Sequence, residues 1–142
     1  MKLSTAAEFA VRGILVVADE YERGRPVTLD RICARRDLPK QYLVKIFSSL
    51  TKADLITPVR GKKGGYLLSR PPDAISVLEV IEAVEGPITL NLCQYEVPRC
   101  DLTDCPLRPV WAKLQRIMRR ELGAVSLTDC LQCDFFRKKR PR

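Results

Sequence analysis

The chain of 142 residues contains no histidine. That absence removes Ser–His and Cys–His nucleophile pairs, HExxH zinc sites, His-ligated haem and Cys/His zinc fingers. Carboxylates or lysines could still serve an enzyme, but the usual base at neutral pH is missing. Long apolar runs are missing as well. The longest uncharged run covers ten residues, Gly86 to Tyr95, and is broken by polar side chains. A spanning helix needs roughly 17 or more. The opening Met1-Lys2-Leu3-Ser4 lacks the basic and apolar regions of a signal peptide. A cytoplasmic protein with no membrane partner is therefore expected. Cysteine is sparse for a disulfide scaffold: six residues are about 4%, against roughly 8–10% in such scaffolds. In a reducing compartment a cysteine cluster points instead to a metal or redox site. Apolar residues make up 46% of the chain, enough for a core. The length suits one domain, or one small domain with an arm.

What is present in excess is positive charge, and it is unevenly placed. The net charge is +8. Residues 31–70 hold ten basic side chains (Arg31, Arg35, Arg36, Lys40, Lys45, Lys52, Arg60, Lys62, Lys63 and Arg70) against Asp37 and Asp54. That segment alone carries the excess of the whole chain. Arg137, Lys138, Lys139, Arg140 and Arg142 add a basic tail, expected to be disordered, and the remainder is mildly acidic. A polyanion partner is expected from this footprint. A solvated basic face is the plain alternative.

A first helix is predicted from Thr5 to about Tyr21, with Phe9, Gly13, Val16 and Val17 at helical spacing. Thr5 and Glu8 read as its capping box. Thr28 can cap a short second helix that turns Leu29, Ile32 and Cys33 inward. Pro39 after Asp37-Leu38 suits the first position of a third helix, running to about Lys52. That helix buries Leu43, Ile46 or Phe47, and Leu50, and leaves Lys40, Gln41, Val44, Lys45 and Ser48 outside. The pair describes a helix-turn-helix. Ile56–Val59 and Tyr66–Ser69 read as strands around the basic turn 60–65, a wing whose Arg60, Lys62 and Lys63 can reach phosphates or a minor groove. Ser76 and Glu79 form another capping box, on a helix that ends near Gly86-Pro87. Residues 87–106 are irregular. A longer helix then returns from Pro106 to about Leu122, with Val110, Trp111, Leu114, Ile117, Met118 and Leu122 as one apolar stripe. A dimerisation helix is expected there.

Three cysteines fall in the irregular segment: Cys93, Cys100 and Cys105, with six and then four residues between them. Three thiols on one curling loop suit a metal or cluster, although zinc and iron–sulfur sites usually take four ligands. Cys33 reads as a small buried hydrophobe. Cys130 and Cys133 make a CxxC that could ligate zinc, form a redox pair or do nothing, and no essential role is expected of it.

Met1 to Thr5, Gln41-Tyr42-Leu43, the stretch Val59 to Leu68, and Ile75-Ser76-Val77 through Gly86-Pro87 follow one pattern. They resemble the Rrf-type winged-helix transcription regulators, which include IscR, NsrR and RirA, over roughly residues 1–125. The resemblance implies a mainly α fold with a small β wing and a long dimerisation helix. It divides the chain into a winged helix-turn-helix DNA-binding domain (1–86), a cysteine-rich cluster loop (87–106), a dimerisation helix (107–128) and a C-terminal CxxC with tail (129–142). It implies a homodimer on palindromic double-stranded DNA. It also implies a sensory iron–sulfur cluster, [2Fe–2S] or [4Fe–4S], held by Cys93, Cys100 and Cys105. DNA contacts are expected at Thr28, Lys40, Gln41, Tyr42, Lys45, Arg60, Lys62 and Lys63. IscR-like members have a histidine ligand three residues after the third cysteine, where this chain has Arg108. NsrR-like members use a carboxylate early in the first helix, reaching across from the other subunit. Here that place is Glu8, which places the chain nearer NsrR or RirA. The expected function is a non-enzymatic regulator, a repressor, gated by a cluster that senses nitric oxide, redox state or iron. The alternative is a cluster-free thiol or zinc switch on the same scaffold.

Overall fold

The computed structural model describes residues 3–97, 99–102 and 104–133. The basic tail at 137–142 lies outside the described residues. Helix α1 (Thr5–Asp19) runs through the middle of the core, with Ala7, Ala10, Ile14 and Val17 buried. Its cap is Ser4 rather than Thr5: the Ser4 hydroxyl accepts from the Ala7 N–H at 3.1 Å. The shift of one residue takes Glu8 out of the capping box and leaves it exposed in the first turn. Gly13 lets α1 approach the third helix, because a Cβ there would lie 2.9 Å from the Phe47 ring.

Helix α2 (Leu29–Arg36) is capped by Thr28, whose hydroxyl accepts from the Arg31 N–H at 3.3 Å. Asp37 ends it in the left-handed region at φ 52°, a conformation that Asp tolerates better than most residues. Pro39 is the cap of α3 (Lys40–Lys52) and not its first turn. Along α3, Leu43, Ile46, Phe47 and Leu50 are all buried, so the inward face takes both Ile46 and Phe47. Burial on this period fixes which side of α3 faces outward.

Strands β1 (Ile56–Val59) and β2 (Gly65–Leu68) pair antiparallel, with Ile56 opposite Leu68 and Val59 opposite Gly65. Val27 joins the hairpin from the other side through reciprocal hydrogen bonds with Tyr66, at 3.0 and 2.9 Å. Gly65 permits this junction. At φ 147° its missing Cβ would sit 2.5 Å from the Val27 carbonyl oxygen. The Tyr66 ring then packs edge-on against Phe47 at 4.9 Å, which ties the hairpin to α3.

Helix α4 (Val77–Glu85) has the predicted capping box: Ser76 and Glu79 satisfy each other's backbone N–H. Gly86 ends it. Helix α5 (Arg108–Ala124) follows the cysteine loop and stops short of residue 128. The chain then turns back into a helix the sequence reading did not anticipate, α6 (Leu127–Gln132), capped by Ser126 and Asp129. Leu127 is fully buried in the first core, and the Val77 N–H donates to the Val125 carbonyl at 2.9 Å. The expected single stripe on α5 is in fact two faces. Trp111, Met118 and Leu122 are half-buried, whereas Val110, Leu114 and Ile117 are exposed at 46%, 43% and 37%. No helix among the described residues is long and apolar enough to cross a membrane.

Candidate nucleic-acid interface and cysteine loop

The outward face of α3 carries Lys40, Gln41, Tyr42, Val44, Lys45 and Ser48, all exposed, with Tyr42 at 61%. Thr28 is also exposed, at the entrance to α2. Arg60, Lys62 and Lys63 are exposed on the loop joining β1 to β2. The structure therefore places the predicted DNA contacts on α3, at the cap of α2 and on one hairpin of a single packed unit.

Not all of the basic segment is available to a partner. Glu20 is only 3% exposed, and it accepts from Arg23 and from Arg31, each at 2.9 Å, with Arg35 at 3.5 Å. Arg35 also pairs with Asp19 at 2.8 Å. Arg70 pairs with Glu79 at 2.9 Å, and Lys40 with Asp30 at 2.6 Å. The hydrogen bond and charge of Asp30 push the Lys40 ammonium above its ordinary range. Lys45, Lys52, Arg60, Lys62 and Lys63 make no ion pair with described residues. The net charge alone could not separate these two sets. The acidic pair Asp19-Glu20 at the end of α1, facing Arg31 and Arg35 four residues apart on α2, was the available signal.

The cysteine loop is built on α4 and α5. Glu82 of α4 accepts from the Ile88 N–H at 2.9 Å and pairs with Arg119 of α5. The Gln115 side chain of α5 accepts from the Leu90 N–H at 3.1 Å. Cys93 lies in a single 3-10 turn, Leu92–Gln94, and its sulfur accepts from the Gln94 amide at 3.3 Å. The same amide donates to the Arg108 carbonyl at 3.3 Å, and the Arg108 N–H donates to the Cys105 carbonyl at 3.1 Å. Gln94 thus links the Cys93 end of the loop to the foot of α5, beside Cys105. Cys93, Cys100 and Cys105 are each half-buried free thiols. Among the described residues, no three cysteine or carboxylate side chains converge to hold a metal. The Glu8 carboxylate makes no hydrogen bond or ion pair with described residues and is not gathered with the thiols.

One atom at this site lacks what its chemistry requires. Arg108 Nε is buried and has no hydrogen-bond partner among the described residues. A buried guanidinium N–H without an acceptor is costly. Its place at the foot of the loop suits an anionic acceptor such as a thiolate-held cluster. The donor set of three soft thiols suits the same group. Cys33 and Cys130 lie outside the loop and pack against the core, and burial, followed by a nearby aspartate, pushes each thiol up.

A helix-turn-helix with a basic outer face, completed by a hairpin wing, defines a winged-helix DNA-binding protein. A transcriptional-regulator family model, described as Rrf2, iron-dependent transcriptional regulator, matches residues 3–132. The chain belongs to the Rrf2 family of transcriptional regulators. It is 35% identical over 133 residues to the HTH-type transcriptional regulator IscR of Xenorhabdus nematophila, covering 93% of this chain and 80% of that one. The structure of T. potens IscR superposes with a TM-score of 0.77 at 27% identity, covering 100% of this chain and 93% of that one. The structure of CymR, described as the global cysteine regulator of B. subtilis, gives 0.77 at 28% identity, covering 92% and 95%. These relatives are regulators of transcription and not enzymes.

Proposed function

We propose that this protein is a homodimeric repressor that reads a palindromic operator in the cytoplasm, and that its cysteine loop gates its affinity. The observation that carries the DNA-reading half is the shared exposure of Gln41, Tyr42 and Lys45 on α3 with Arg60, Lys62 and Lys63 on the wing. In this reading residues 1–86 bind DNA, with Thr28 and Lys40 at the edge of the contact. Residues 87–106 hold the sensor, and 107–128 carry the dimer contact. The exposed Val110, Leu114 and Ile117 of α5 supply that contact's apolar face. Cys93, Cys100 and Cys105 ligate an iron–sulfur cluster, with Glu8 of the partner subunit as candidate fourth ligand. The buried Arg108 Nε supports an anionic group at the loop. When bound, such a cluster supplies a reactive centre that nitric oxide, oxygen or iron loss destroys. The leaning towards NsrR and RirA rests on Arg108 and Glu8, and the iron and sulfide count gives the cluster nuclearity.

A second reading has its own support. The three thiols do not converge among the described residues, an arrangement that suits a thiol switch without a cluster; a zinc-dependent switch on the same scaffold is the metal-bound form of this reading. Metal analysis separates the two. Anaerobically prepared protein that is brown and contains iron with acid-labile sulfide supports the cluster. One zinc per chain without sulfide supports the switch. Fluorescence anisotropy with mixed-sequence DNA, scanned over salt, tests the claim both share. Phosphate contacts make affinity fall steeply with salt, and a flat response contradicts DNA binding.

A further inference from the structure

Two α1 residues, one turn apart, each hold one helix of the reading head. The Phe9 ring packs edge-on against the ring of Tyr42, at 6.4 Å between centroids and 77° between planes. Tyr42 is otherwise 61% exposed on the outward face of α3. The Arg12 guanidinium lies over the Phe9 ring, 5.9 Å from its centroid, and donates to the Arg36 carbonyl at 2.6 Å. That carbonyl belongs to the last turn of α2, where helix carbonyls lack intrahelical partners and a cation is favoured. Phe9 itself packs against the core.

We propose that Phe9 and Arg12 are positioning residues for operator reading. Phe9 holds the Tyr42 ring in the rotamer that meets base edges, and Arg12 fixes the end of α2 from which the turn into α3 departs. An exposed tyrosine with no neighbour samples several rotamers, and each must be given up on binding. The Phe9 edge restricts that choice before DNA arrives. For Phe9 the consequence falls on sequence discrimination and not on phosphate attraction, because the ring carries no charge. Phe9 also follows Glu8 directly, so a change at the start of α1 has a short physical route to the reading surface. This inference rests on the DNA-reading function proposed above.

The test is a double-mutant cycle on full-length protein, using a duplex that the wild type selects from a random-sequence pool and an unselected duplex of equal length. Phe9→Ala should weaken the selected duplex about two- to tenfold, the range of an aromatic edge contact. Affinity for the unselected duplex and the salt slope should stay as in wild type. In a Tyr42→Ala background, Phe9→Ala should have little further effect. Phe9→Leu, which keeps apolar volume in the core, should melt near wild type yet lose the same discrimination. Equal weakening of both duplexes, or an undiminished Phe9→Ala effect in the Tyr42→Ala background, overturns the inference. A wild type that selects no sequence overturns the operator-reading function, and this inference with it.

Discussion

The Asp30 carboxylate of α2 accepts from the Lys40 ammonium at the start of α3, at 2.6 Å, across the turn of the helix-turn-helix. Both side chains are exposed, so the pair adds little to stability. Its effect is on ligand choice. Lys40 stands among the expected DNA contacts but is already paired with Asp30 in the free protein. It must exchange a carboxylate for a phosphate on binding.

Asp30→Asn should therefore strengthen binding to unselected DNA and steepen its salt dependence. The slope of log affinity against log salt grows by about 0.9 for each added phosphate contact. Lys40→Ala should show a smaller loss than Lys45→Ala, whose ammonium makes no ion pair with described residues. Anisotropy titrations at several salt concentrations measure both effects.

Glu20 makes the opposite kind of contribution. It is buried, and Arg23, Arg31 and Arg35 converge on it from α2 and from the turn after α1. Glu20→Ala should destabilise the fold by about 2 kcal/mol, because hydrogen bonds to a charged buried group are lost and Arg35 loses an acceptor. Urea unfolding of the variant reads this directly.

Arg60→Ala on the wing should leave stability near wild type and weaken DNA binding, most at sites with a narrow AT-rich minor groove. The comparison of AT-rich and GC-rich duplexes by anisotropy checks it. Equal losses on both would assign Arg60 to phosphates alone.

The α4 capping box gives a pH dependence. Burial pushes the Glu79 carboxyl up, but hydrogen bonds from the Ser76 backbone and hydroxyl and the Arg70 guanidinium outweigh it and hold the group below its ordinary value. A carboxyl lowered on folding stabilises fully above its unfolded value, and the gain is lost as pH falls through the folded value. Stability should therefore drop on the acid side, and Glu79→Gln should flatten that limb. Ser76→Ala should cost about 1 kcal/mol at neutral pH. Thermal melting across acid pH measures both.

The local signals explain how much of this was readable beforehand. The inward and outward faces of α3 followed from period alone, because Leu43, Ile46, Phe47 and Leu50 repeat with the helix. The α4 capping box and the wing followed from residue chemistry at fixed spacing. The features that were missed depend on distant partners. Val27 enters the sheet as one bridged residue opposite Tyr66, too short to leave a pattern. Helix α6 is six residues long; its Ser126–Asp129 capping box was a readable signal, but its place is set by Leu127, which enters the core and donates its N–H to the Ile75 carbonyl. The α5 stripe divided because α4 and the cysteine loop cover one side of it, which spacing does not encode. At the cysteine loop, the sequence marked Cys93, Cys100 and Cys105 but not Gln94, whose amide ties the loop to α5.

The exposed side of α5 sets a test of assembly. Val110, Leu114 and Ile117 stand about one turn apart on the exposed face of α5. Leu114→Glu with Ile117→Glu should convert a dimer to a monomer in sedimentation velocity and reduce operator affinity while leaving the helical spectrum intact. A wild type that sediments as a monomer contradicts the dimeric reading.

Operator affinity measured anaerobically for wild type and Cys93→Ala, with iron and sulfide counted on the same samples, tests the gating most directly. Wild type should carry iron and sulfide and bind its selected duplex tightly. Cys93→Ala should lose both the cluster and that tight binding, with its affinity for unselected DNA unchanged. Unchanged iron content and unchanged operator affinity in Cys93→Ala would contradict a cysteine loop that controls the reading head.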